Sequence, residues 1–168
     1  MIAGMTTFTL VHVLISLIAI VSGLVVLFGL CRGKSLNGWT AWFLATTVAT
    51  SVTGFFFPIH GFTPAIGVGI LSLIVLAAAI TALYGRHLLG SWRWIYVVGA
   101  VVALYFNSFV LVVQSFLKVP ALHALAPSGS GPVFSLTQGV VLLFYLVAGI
   151  IAVRKFHPAP AAVFRPPS

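Results

Sequence analysis

Residues 92–118 read WRWIYVVGAVVALYFNSFVLVVQSFLK, and every residue between Arg93 and Lys118 is uncharged. An apolar stretch of this length exceeds the ~20 residues that carry an α-helix across ~30 Å of hydrocarbon. Backbone N–H and C=O groups in lipid must be satisfied within the segment, so the run reads as a transmembrane helix. Tryptophans at 92 and 94 sit where aromatic side chains anchor a span at the headgroups.

The same pattern recurs along the chain. Apolar runs occupy residues 8–30, 39–57, 64–84, 92–117 and 134–153. The sequence therefore predicts an all-α integral membrane bundle of five transmembrane helices. Residues 1–157 form its single transmembrane domain, and the Pro/Ala-rich stretch 158–168 reads as an extended, flexible tail. The first run has no basic segment before it and is too long for a signal-peptide core, so it reads as a retained helix. A short apolar helix is expected from Pro120 to Ala126, and tight turns at 58–64 and 128–132, where Pro and Gly cluster.

Composition sets the chemistry. Apolar residues make up 61% of the 168 residues and charged residues 5%, a balance outside the soluble range, and mean hydropathy is +1.24. No residue is Asp or Glu, while eight are Lys or Arg. Arg32, Lys34, Arg86, Arg93, Arg154, Lys155 and Arg165 all fall in connections on one side of the predicted bundle, and Lys118 alone falls on the other. Basic loops face the cytoplasm, so the N-terminus is expected outside and the C-terminus in the cytoplasm. The formal charge of +8 is spread singly between spans, which points to anionic lipid headgroups on the cytoplasmic side as partners and not to nucleic acid. Calcium and magnesium sites, proton relays and carboxylate acid/base pairs all lack their usual ligands. Cys31 is the single cysteine, which excludes an intrachain disulfide.

Polar groups at membrane depth are costly and tend to face protein. In the second run Thr46, Thr50 and Gly54 recur every four residues and make a small-residue packing stripe. In the fourth, Gly99, Ala103, Asn107, Gln114 and Lys118 share one helix face, small residues in one half and amide or amine groups in the other. Gly99 and Ala103 read as helix packing. His12, Thr53, His60, Gln114, Lys118, His123 and Gln138 are all expected at the outer ends of the helices, with Asn107 deeper. Together they form a candidate outer polar site that is neutral to positive and suits an anion, a quinone carbonyl or a lipid headgroup. No metal site and no catalytic residue is expected, because His12, His60 and His123 come from separate elements and no nucleophile elbow or phosphate loop occurs.

His12 on the first helix, the segment TSVTGFFFP at 50–58, WRWIY at 92–96 and ALYFN at 103–107 carry a further likeness. In these the chain resembles small, uncharacterised bacterial inner-membrane protein families with four or five helices. The resemblance implies an integral location in the bacterial inner membrane and no particular reaction. The functional expectation is a non-enzymatic accessory or oligomerising component, alone as a homo-oligomer or in a larger membrane complex. No cofactor is expected; the alternatives are an outer-leaflet site for quinone, lipid or haem, and a transporter of an anion or neutral solute.

Overall fold

Thr6 starts the first helix by accepting the Thr9 N–H on its side-chain oxygen at 3.2 Å, which satisfies one of the orphan donors of the first turn. From there α1 runs over Thr7–Cys31, followed by α2 over Asn37–Gly54, α3 over Pro64–Ile80, α4 over Trp92–Lys118, α5 over Pro120–Leu125 and α6 over Pro132–Lys155. This is a computed structural model, and it describes residues 6–57, 64–126 and 130–158. The predicted turn containing His60, residues 128 and 129 of the turn at 128–132 and nearly all of the predicted tail, residues 159–168, lie outside the described residues. Among the described residues every regular element is helical.

Among the described residues, four helical stretches are long and apolar enough to cross a membrane: Thr7–Cys31, Pro64–Gly85, Trp92–Lys118 and Pro132–Lys155. The chain is accordingly a multi-pass membrane protein. α2 is more polar than these because Thr40, Thr46, Thr47, Thr50, Ser51 and Thr53 crowd its 18 residues. Most of those hydroxyls return to their own helix. Thr46 donates to Trp42 O at 2.6 Å, Thr47 to Phe43 O at 2.7 Å, Ser51 to Thr47 O at 2.9 Å and Thr53 to Ala49 O at 2.7 Å. Such back-bonding hides the hydroxyl without an external partner. The predicted second run extended to Phe57, but the helix ends at Gly54, where the Phe55 and Phe56 N–H groups turn back to Val52 O and Thr53 O.

α3 does not stop at Ile80 but continues through a π-helical turn, Thr81–Gly85. A connection follows in which His87 and Leu88 hold left-handed φ values of 50° and 59°. Two successive non-glycine residues in that region are strained by ~1 to 3 kcal/mol each. The Leu88 N–H to Ala82 O bond at 3.0 Å and the packing of Leu88 against the core offset it.

α4 is the central helix and lies against α1, α2, α3 and α6. Its buried residues Tyr96, Val97, Ala100, Ala103 and Leu104 join Leu27, Phe43, Leu76 and Tyr145 in the core. Glycine brings the helices close at two points. A Cβ on Gly99 would stand 3.0 Å from Ala79 Cβ, and one on Gly23 only 2.6 Å from Leu104 and 2.8 Å from Phe43. Helix association in lipid depends on such close van der Waals packing, since lipid tails are as apolar as the helix faces.

The helix ends carrying Arg32, Lys34, Arg86, Arg93, Arg154 and Lys155 meet at one end of the bundle. Two contacts tie them together. Arg93 donates to Val153 O at 2.9 Å and Phe156 O at 2.6 Å, so its guanidinium closes the C-terminus of α6. Gly33, at φ +70°, brings its turn so near α6 that an added Cβ would lie 2.9 Å from Lys155 O. Arg86 stacks over the Trp92 ring at 5.1 Å.

Candidate functional site

The end of the bundle opposite the basic loops holds the residues expected to form a polar site, and the structure joins them in pairs. His12, in the second turn of α1, reaches α2: its Nδ1 lies 2.8 Å from Thr53 Oγ1. The Thr53 hydroxyl hydrogen is already directed to Ala49 O, so the geometry assigns the proton of this contact to His12 Nδ1, which donates to Thr53. Nε2 then carries a lone pair. Phe57 meets the imidazole edge-on at 5.0 Å between centroids, and Gly54 leaves room for the ring, since a Cβ there would come 3.8 Å from His12 Cε1.

A second pairing joins α4 to α6. Gln138 is buried, and its Nε2 donates to Phe109 O at 3.1 Å, a carbonyl within α4, while its Oε1 is buried without a partner among the described residues. Asn107, half-buried, points to α2 and reaches Thr47 Oγ1 at the long distance of 3.5 Å. Thr50 is buried, and its hydroxyl has no partner among the described residues, between Thr46 and Gly54 on the stripe expected to pack.

The remaining candidates stand apart from these pairs. Gln114 and Lys118 are exposed, one turn apart at the end of α4. His123 is exposed on α5, and its Nδ1 lies 3.3 Å from Phe116 O, a contact that folds α5 back on α4 beside the edge-to-face pair of Phe116 and Phe134. Six of the seven described candidates therefore share one end, Asn107 lying deeper at the middle of α4, and the seven do not enclose one chamber. His60 lies outside the described residues. Among those residues no three metal-ligating side chains gather.

Several interhelical contacts escaped the sequence reading, three of them through hydroxyl pairs or a thiol. The Ser108 and Tyr145 hydroxyls are 2.7 Å apart, joining α4 to α6; those of Ser51 and Ser72 are 3.1 Å apart, joining α2 to α3; and the Cys31 thiol donates to Ala148 O at 3.4 Å, joining α1 to α6. A phenol in the middle of an apolar run needs a hydroxyl partner when buried, so Tyr145 carried a usable signal. The serines did not, because serine also back-bonds to its own helix. Comparison with protein-family models, curated proteins and solved structures gives no match.

Proposed function

We propose that the protein is a five-span component of the bacterial inner membrane that works without catalysis, through helix and lipid contacts, as an accessory or self-associating subunit. One observation carries this reading: most polar side chains within the helices are engaged by neighbouring helices or by backbone, Thr50 being the buried exception among the described hydroxyls. His12 with Thr53, Ser51 with Ser72, Ser108 with Tyr145 and Gln138 with Phe109 O act as clasps, not as a lining. The surface left for a second chain is apolar. α6 turns Leu136, Val140, Leu143, Val147 and Ile150 outward, and Gly139 among them has open space where a side chain would be.

Light scattering on the full chain in mild detergent is expected to give a mass above that of one chain. Gly139→Cys in a Cys31→Ala background is expected to cross-link. A strictly monomeric protein that retains no partner would remove the basis of the proposal.

In this reading α2 is the fifth span, with the N-terminus outside and the C-terminus in the cytoplasm. Two contacts support it: Leu36 just before α2 lies over Gly29 near the end of α1, and Thr53 at the far end of α2 meets His12 near the start of α1. α2 therefore runs antiparallel along most of α1, and its 18 residues reach about 27 Å at 1.5 Å each. The basic end then lies in the cytoplasm, beside anionic headgroups. Cysteines placed at 60 or 129, again without Cys31, are expected to react with an impermeant thiol reagent on intact cells, and one at 35 is not; the reverse pattern would invert the topology.

A second reading starts from the unshared pair on His12 Nε2 and the exposed Lys118 at the far end of α4: an acceptor and a cation at one end of the bundle suit a quinone, a lipid headgroup or haem. A visible absorption band or a co-purifying ligand lost in His12→Ala would support it. A featureless spectrum and a ligand-free extract would sink it.

A further inference from the structure

The basic residues of the α1–α2 connection differ from Arg86 and Arg93 in being unengaged, and from the exposed Arg154 and Lys155 in bordering a groove. Arg93 spends its donors on the α6 carbonyls and Arg86 lies on Trp92. Arg32 and Lys34 are exposed, and neither side chain bonds another described residue. They rim a groove of about 510 Å³ whose remaining wall is apolar: Val25, Phe28, Gly29 and Leu36.

The groove is built by the turn itself. The N–H groups of Arg32 and Lys34 both bond Gly29 O, at 3.0 and 2.9 Å, and that of Gly33 bonds Leu30 O at 3.0 Å, folding the chain back over the end of α1. Gly33 takes the left-handed φ this reversal needs. Leu36 then lies over Gly29, where a Cβ would meet its Cδ1 at 2.7 Å. Below the rim Val21 and Phe28 are exposed on the same side of α1, Phe28 seven residues beyond Val21 and so nearly at the same angle.

We infer that this groove binds one anionic phospholipid, its phosphate between Arg32 and Lys34 and an acyl chain along Phe28 and Val21. Charge complementarity selects this occupant. The chain contains no carboxylate side chain to neutralise the two cations, and the apolar wall continues from them onto a helix face that lies in the lipid. The inference rests on the reading that the basic end meets anionic headgroups, and it adds a defined seat.

Native mass spectrometry of the full chain in a neutral detergent tests it, with dioleoyl phosphatidylglycerol and dioleoyl phosphatidylcholine supplied equally. Wild type is expected to retain the anionic lipid roughly ten- to thirty-fold over the zwitterionic one, the preference that two basic side chains confer at a membrane surface. R32Q/K34Q is expected to bring the ratio to about parity, while the charge-preserving R32K/K34R and the same-end control R154Q/K155Q keep it. Excess inorganic phosphate is expected not to displace the lipid. Equal losses in R32Q/K34Q and R154Q/K155Q would overturn the groove and leave the general headgroup reading standing. No preference in wild type would overturn both, and displacement by phosphate would overturn the acyl part of the seat.

Discussion

His12 and Thr53 form the contact most worth isolating, because it joins the first two helices by one bond between side chains of known roles. Interhelical hydrogen bonds in membranes are worth about 0.6 kcal/mol on average and up to ~1.7 kcal/mol. A double-mutant cycle of His12→Ala and Thr53→Ala, read by reversible unfolding in detergent, is expected to give a coupling energy in that range; additive losses would show that the bond is not made. Gly23 supplies the opposite kind of test. Its missing Cβ would fall 2.6 Å from Leu104, inside a space with no room for water, so Gly23→Ala overpacks the contact of α1, α2 and α4 and is expected to destabilise by ~1 to 3 kcal/mol. Gly38→Ala, at the exposed start of α2, meets open space and is expected to leave the unfolding midpoint unchanged or slightly raised. Much of this was legible at Gly99 and Ala103, whose spacing marks a packing face. The pairing of His12 with Thr53 was not, since two residues 41 apart can share an end of the bundle without facing each other.

Among the helices, α6 depends most on a single side chain from elsewhere. Arg93 caps it by binding Val153 O and Phe156 O, two carbonyls that a helix end otherwise leaves to solvent. Hydrogen bonds to charged groups contribute about 1.5 to 3 kcal/mol. Arg93→Gln is therefore expected to speed hydrogen exchange in the last turn of α6 and to leave exchange in α3 unaltered; an unaffected α6 would contradict the capping role. The extents of α1, α3, α4 and α6 could be read from the sequence, because lipid imposes a minimum apolar length on any span. The end of α2 at Gly54 could not, because the three phenylalanines that follow are as apolar as the helix. The π-turn at Thr81–Gly85 had no signal either: it changes the bonding register of α3 without interrupting the apolar run. Rotation of each helix about its axis was the larger loss. Gln114 and Asn107 share a face by spacing, yet Gln114 is exposed while Asn107 turns to Thr47.

Taken whole, the molecule has side-chain charges of one sign only, and this fixes how it responds to salt. No side-chain ion pair can exist within the chain to be screened, whereas Arg32, Lys34, Arg86, Arg93, Arg154 and Lys155 repel one another at one end. Raising salt shortens the screening length from about 10 Å at 0.1 M to 3 Å at 1 M. In neutral detergent the thermal midpoint is therefore expected to rise with sodium chloride; a fall would mean that attraction to something else governs that end. This property was legible in the composition alone. The closing of that end was not, because Gly33 meets Lys155 O and Cys31 meets Ala148 O only after the helices between them have folded back. The partners of the Cys31 contact lie 117 residues apart, roughly 6 to 23 s of ribosomal synthesis. Through that interval α1 lacks the neighbour that completes its far end, so the Cys31 contact is among the last the chain can make.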